Sequence, residues 1–297
     1  MSRSTRGCAL RAGNASGGPR ARGPIARSAL FFGPLAGLSL LIFAAACLAA
    51  LLAAWLAPID PLAIDPLNAY AAPNAANLLG TDALGRDILS RLIWGGRTGL
   101  LGPIAIVLLS GFIAIGIALP AAWHRGWVDV LISRVIDIMF AFPAILLALL
   151  AAATFGGGLW TAIAALSLAS VPHKARLLRS ALLRERSQPY IEALESQGMS
   201  AWRICLFHLV PAVWPLFATQ LVLSFGHALV GLAAISFIGL GVQAPSPDWG
   251  LMVAQGRASI LQGEFAEAIS AGTVIIAVVS AVTFIGQRLS QRQDRRH

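Results

Sequence analysis

Tyr190–Pro211 reads YIEALESQGMSAWRICLFHLVP. It is a polar, helix-forming segment set between long apolar runs. Ile191, Leu194, Gly198 and Trp202 recur at spacings of three, four and four, which aligns them on one helical face. Gly198 interrupts that face and suits the left-handed conformation that ends a helix. Ser200 then offers a side-chain oxygen to cap a second helix through Trp202, Arg203 and Ile204. The spacing predicts helix, glycine turn, capped helix, and then Pro211 entering the next apolar run. Two uses of such a hairpin are open at this point. It is a helical loop between membrane spans, or a helix-turn-helix that grips DNA through Lys174, Arg176, Arg179, Arg184, Arg186 and Arg203.

Composition bears on that choice. The chain has 297 residues, 57% of them hydrophobic and 12% charged. Water-soluble domains carry about a quarter charged residues. The apolar runs are long enough to cross a bilayer, so the fold class is all-α and polytopic. The formal net charge is +9, and Lys174 is the single lysine. In a membrane protein that excess reads as orientation and contact with anionic lipid before it reads as nucleic-acid binding. Cys8, Cys47 and Cys205 form neither a CxxC pair nor a metal-ligand spacing, so neither disulfide nor metal is assigned.

Taken in order, residues 1–30 are mostly Arg, Gly, Ala, Ser and Pro with no acid, which predicts a disordered basic tail held in the cytoplasm by Arg3, Arg6, Arg11, Arg20, Arg22 and Arg27. Residues 31–57 are a first span, too long for a signal-peptide core of roughly 7–15 residues. Residues 58–97 read as an extracytoplasmic loop followed by an amphipathic surface helix. In that helix Thr81 or Asp82 is the cap, Leu84, Ile88 and Leu92 form the apolar face, and Arg86, Asp87 and Arg91 lie off it.

Residues 98–288 hold five further spans. The first, 98–123, carries a small-residue stripe of Ser110, Ala114 and Ala118 suited to close helix contact. The next, 130–154, has Arg134 and Asp137 one turn apart as a local ion pair and a kink at Pro143. A short span follows at 159–171, ended by Pro172. The cytoplasmic segment 173–207 contains the hairpin, with six basic residues against Glu185, Glu192 and Glu195. Spans at 209–234 and 268–287 flank a Pro- and Gly-rich stretch that reads as an extracytoplasmic loop or a re-entrant segment. Residues 289–297 are a basic cytoplasmic tail. Six spans place both termini inside, in agreement with the basic excess of the inner segments.

No catalytic constellation is present. The chain has no G-x-x-x-x-G-K-[ST], no H-E-x-x-H and no G-x-S-x-G, so it is not read as an enzyme and no cofactor is assigned. His227 lies inside a span, which makes it a substrate-path candidate; a neutral histidine bonded to a neighbouring helix is the competing reading.

The segment EALESQG followed by HLVP resembles the EAA motif of bacterial ABC importer permeases, which runs Glu-Ala-Ala, three residues, Gly, nine residues, Ile, any residue, Leu-Pro. Glu192, Ala193, Gly198 and Pro211 match at that spacing. Leu194, His208 and Val210 depart from it. LGTDALGRDILSRLIWGGRTGL and SFIGLGVQAPSPDWGLMVAQGR are similar to segments of the C-type permease of the dipeptide and oligopeptide importers. The resemblance spans about Leu79 to Arg288 and implies a type I importer permease with six transmembrane helices in the bacterial inner membrane.

It implies, further, that the chain forms half of the translocation path for peptides, nickel complexes or similar small solutes. A second homologous permease, two ATP-binding subunits and an extracytoplasmic solute-binding protein would complete the importer. On that view Glu192, Ala193, Gly198, Ser200, Trp202 and Arg203 couple the chain to an ATPase subunit. Gly239, Gly241, Pro245, Pro247, Asp248 and Trp249 lie near the binding-protein surface, or else close the outer rim as a structural loop. Two other classes stay in view. An ion-coupled secondary transporter would carry intramembrane carboxylates and inverted repeats. A membrane-anchored regulator would use the hairpin on DNA.

Overall fold

The computed structural model describes residues 34–124 and 126–294; the expected basic tail, residues 1–30, lies outside them. The first helix, α1, is Pro34–Leu51, followed by a further turn at Ala53–Leu56. Next come α2 (Ile88–His124), α3 (Gly126–Phe140), α4 (Ala144–Phe155) and α5 (Leu159–Arg186). The hairpin helices are α6 (Pro189–Ser196) and α7 (Ala201–Ile204). A π-helical turn, Cys205–Leu209, joins α7 to α8 (Val210–Phe237). The chain ends with α9 (Trp249–Ile260) and α10 (Ala266–Asp294).

Among the described residues, three stretches are long and apolar enough to cross a membrane: Ile88–His124, Ala201–Phe237 and Ala266–Gln293. The bent pair α3–α4 makes a fourth. The six expected spans are reached only by adding α1, which is short, and α5, whose second half is basic. At about 1.5 Å rise per residue, a 37-residue helix such as α2 is about 55 Å long, well beyond a hydrocarbon layer of about 30 Å. The basic tail expected at 289–297 continues α10 as helix through Asp294.

Two apolar clusters stack along the molecule. One joins Ile88, Leu92 and Leu100 of α2, Ile163 and Leu166 of α5, Phe225 and Leu232 of α8, Trp249 and Met252 of α9, and Val278 of α10. The other joins Ala114 and Ala118 of α2, Val171, Ala175, Leu178 and Leu182 of α5, Ile191, Ile204 and Leu209 of the hairpin region, and Val213 and Phe217 of α8. The small-residue stripe of α2 is buried at Ser110, Ala114 and Ala118, and lets α5 approach closely.

The prolines act differently from their sequence reading. Pro172 does not end a helix: it is buried in mid-α5, where packing against α2 on both sides outweighs one lost backbone hydrogen bond. Pro143 does more than kink. It is the N-cap of α4 after a break at 141–143, and α3 and α4 meet at 83°. Asp137 pairs across helices with Arg176 of α5 at 2.6 Å rather than with Arg134, and the Arg176 guanidinium lies over the Phe140 ring.

The largest departure is at 78–87, ahead of α2. No surface helix forms there. Residues 58–87 fold as an irregular cap, in which Tyr70 N–H bonds Asp82 O and Ile88 N–H bonds Gly80 O. Gly85 turns the chain at φ +73°, and a Cβ there would stand 1.8 Å from Asp65 O. Asp87, not Thr81 or Asp82, caps α2, its carboxylate accepting from Ser90 N–H at 2.8 Å. Arg86, Asp87 and Arg91 are buried instead of solvated. The Asp82 carboxylate accepts from Arg86 Nε at 2.7 Å and from Arg91 at 2.5 Å, and Arg91 also reaches Glu267 of α10 at 2.5 Å. Gln255 of α9 accepts from both arginines. Two arginines and two carboxylates neutralise one another, which is what makes their burial tolerable.

Candidate functional site

The hairpin is built as its spacing predicts, with one difference. Pro189 opens α6 at a position where a missing N–H costs nothing. Gly198 ends it at φ +79°, while Gly198 N–H bonds Glu195 O and Met199 N–H bonds Leu194 O, a glycine C-terminal cap. Ser200 occupies the N-cap of α7 in extended backbone, but its side chain makes no capping hydrogen bond. The hairpin is narrower than the expected 173–207, because residues 173–186 belong to α5.

Its two faces differ in kind. Ile191 and Ile204 are buried, at 1% and 0% exposure, in the second apolar cluster. Glu192, Ala193, Gly198, Ser200, Trp202 and Arg203 are all exposed. Trp202 stacks near Phe207 and under Arg203, and both aromatic rings face outward. The hairpin thus has its root in the helix core, and its outer face is unpartnered among the described residues. Arg186 fixes the root: it donates to Ala122 O at 3.1 Å, stacks over Trp123 and reaches Glu195 at 3.6 Å. One side chain thereby ties the ends of α2 and α5 to α6.

Four of the six basic residues suited to DNA are engaged within the chain, while Arg184 and Arg203 are exposed. Lys174 is 2% exposed and donates to Ser110 Oγ at 2.8 Å between α5 and α2. Arg179 chelates Asp129 of α3 with two nitrogens. Arg176 and Arg186 hold the contacts described above.

His227 projects from the outside of α8, its Nδ1 3.2 Å from the Leu223 carbonyl oxygen of its own helix. It is exposed at the surface of this chain rather than set between its helices.

In the loop before α9, Gly239 turns at φ +86°, and Gly241 lies so close to Ser236 that a Cβ would meet its Oγ at 2.4 Å. Pro245 follows a cis peptide bond and is exposed; Pro247 is half-buried. Asp248 and Trp249 are buried and structural. Asp248 caps α9 by accepting Leu251 N–H at 3.0 Å, and takes a second bond from Thr98. Burial pushes its carboxyl above the ordinary range, opposed by those bonds. Trp249 lies against Gly95, Gly96 and Gly99 of α2 and donates to Leu92 O at 2.9 Å. The glycines of LIWGGRTGL therefore form a slot for an indole supplied by a loop about 150 residues later. Neither segment shows this alone.

Comparison with known proteins agrees with this architecture. The family model described as "Binding-protein-dependent transport system inner membrane component" matches residues 113–296. The chain is 35% identical over 262 residues to the dipeptide transport system permease protein DppC of Alkalihalophilus pseudofirmus, covering 88% of this chain and 85% of that one. It is 35% identical over 268 residues to the di/tripeptide transport system permease protein DppC of Pseudomonas aeruginosa, covering 88% of each. The glutathione transport system permease protein GsiD of Pectobacterium atrosepticum is 35% identical over 222 residues, or 75% of this chain and 73% of that one. The solved inward-facing MetNI methionine ABC transporter superposes with a TM-score of 0.52 at 19% identity, covering 69% of this chain and 97% of that chain, which shows a shared fold. With its helices, its rooted hairpin and these relatives taken together, the chain belongs to the inner membrane components of binding-protein-dependent transport systems, the permeases of ABC importers.

Proposed function

We propose that the chain forms half of the translocation path of an importer for short peptides. A second permease of the same family supplies the other half. Two ATP-binding subunits dock at the cytoplasmic side, and an extracytoplasmic binding protein delivers cargo. The chain carries no hydrolytic role of its own. It crosses the bacterial inner membrane with both termini in the cytoplasm. Residues 58–87 and the loop before α9 then face outward, the hairpin inward. The observation that carries this reading is the hairpin itself: Ile191 and Ile204 sit in the helix core while Glu192, Ala193, Gly198, Ser200, Trp202 and Arg203 remain open to a partner.

A rigid element joined to packed helices can turn closure of the ATPases into movement of the spans. The peptide cargo is suggested by relatives named for dipeptides, di/tripeptides and glutathione. The test is mild detergent purification of the tagged chain from its host, followed by reconstitution with the accompanying binding protein. Co-purifying permease and ATPase subunits, with ATP-dependent uptake of a radiolabelled dipeptide, is the expected result. A chain that purifies alone and moves solute without ATP would overturn the proposal.

A further inference from the structure

The loop helix α9 has two unlike faces. Leu251, Met252, Gly256 and Ser259 are buried, and Gln255 holds Arg86 and Arg91. Ala254, Arg257, Ala258 and Leu261 recur at spacings of three, one and three, so they share the other face. That face and the end of α8, at Phe237 and Ile238, enclose a groove of about 600 Å³. The volume lies in the range of about 300–1,000 Å³ typical of small-molecule sites. Ala254 and Ala258 flank Arg257 and leave the space open. Arg257 is exposed and makes no hydrogen bond, ion pair or ring contact among the described residues. Phe237, Ile238 and Leu261 are exposed and give part of the wall an apolar lining. Among the described residues, no carboxylate lines the groove.

We infer that this groove binds the free carboxylate end of a short peptide, with the Arg257 guanidinium as its ligand. The inference rests on the peptide-import reading above. A guanidinium presents two parallel N–H groups to a carboxylate, and the fork discriminates against an amide. The apolar wall accommodates the side chain next to that carboxylate. The peptide's ammonium end has no acid to meet and points out of the groove. A lipid phosphate is the competing occupant, but headgroup sites draw on clustered basic residues, and among the described residues this groove holds a single one.

The test uses the whole importer in proteoliposomes and the photoreactive dipeptide p-benzoylphenylalanyl-alanine. The expected result is labelling of residues 237–261, found by mass spectrometry. Free alanyl-alanine should compete at least about tenfold better than alanyl-alaninamide, the discrimination of one charge-assisted bond. Arg257→Ala should abolish that preference and Arg257→Lys restore part of it. Equal competition by acid and amide, labelling confined to other segments, or labelling suppressed by phosphatidylglycerol but not by alanyl-alanine would each overturn the site. Dipeptide uptake by the unaltered importer is measured in parallel. Its absence would overturn the peptide reading itself, whereas uptake without acid-selective labelling would overturn only the groove.

Discussion

Arg91 shows how much one side chain can carry. It is fully buried, and it is the shared counterion of Asp82 on the cap and Glu267 on α10. Removing it strands Glu267 away from water and leaves Asp82 to Arg86 alone, at a cost of about 3–5 kcal/mol. Arg91→Ala should therefore lower the melting temperature of the purified importer, read by intrinsic fluorescence. The double variant Arg91→Met, Glu267→Gln should lose less than the sum of its single changes, because it removes charge of both signs; strict additivity would contradict the coupling. Gly198 carries a different load. At φ +79° a β-branched side chain costs about 1–2 kcal/mol. Nothing lies within 4 Å of a Cβ there, so the cost is backbone strain alone. Gly198→Val is expected to leave membrane insertion intact while lowering dipeptide uptake per ATP hydrolysed. Normal coupling in that variant would argue against a fixed turn as part of the lever.

At the scale of elements, the hairpin is joined to α2, α5 and α8 through Ile191, Ile204 and Leu209. Truncating such a buried side chain costs about 2–5 kcal/mol and leaves a cavity. Ile204→Ala should loosen the hairpin, the proposed lever, from the helices it packs on. ATP hydrolysis in the reconstituted importer should continue while uptake falls, a split measured by assaying phosphate release and dipeptide accumulation on the same vesicles. Parallel loss of both would indicate general unfolding instead. The α2–α5 seam is built on other terms. Small residues bring the helices together, and Lys174 finds Ser110 inside it. The lone lysine of the chain, read from its neighbours as part of a basic cytoplasmic segment, is an interior group bound across two helices.

For the whole molecule, the two stacked clusters place the 58–87 cap at one end and the hairpin at the other. That polarity is testable in intact cells. Single cysteines at Ser246 and Gln197, introduced into a chain whose native cysteines are replaced, should react oppositely with a membrane-impermeant maleimide. Position 246 should label from outside and position 197 only after permeabilisation. The reverse pattern would invert the proposed orientation.

Much of this fold is legible in the sequence because its signals are local. A left-handed glycine before an N-cap, apolar runs of span length and a buried stripe at spacing four each act through their immediate neighbours. Helical character, membrane location, the hairpin and the family were determined by such patterns. The course of the chain at prolines, the partners of charges and the setting of Trp249 were not. Pro172 stays within a helix because α2 holds both halves of α5. Asp82, Arg86, Arg91 and Glu267 are buried because they meet across segments far apart in the chain and cancel one another. Gly99 is small because an indole arrives from residue 249. Only the tertiary structure could decide these, since each depends on what a distant residue brings to the contact, and spacing along one chain segment carries no information about that.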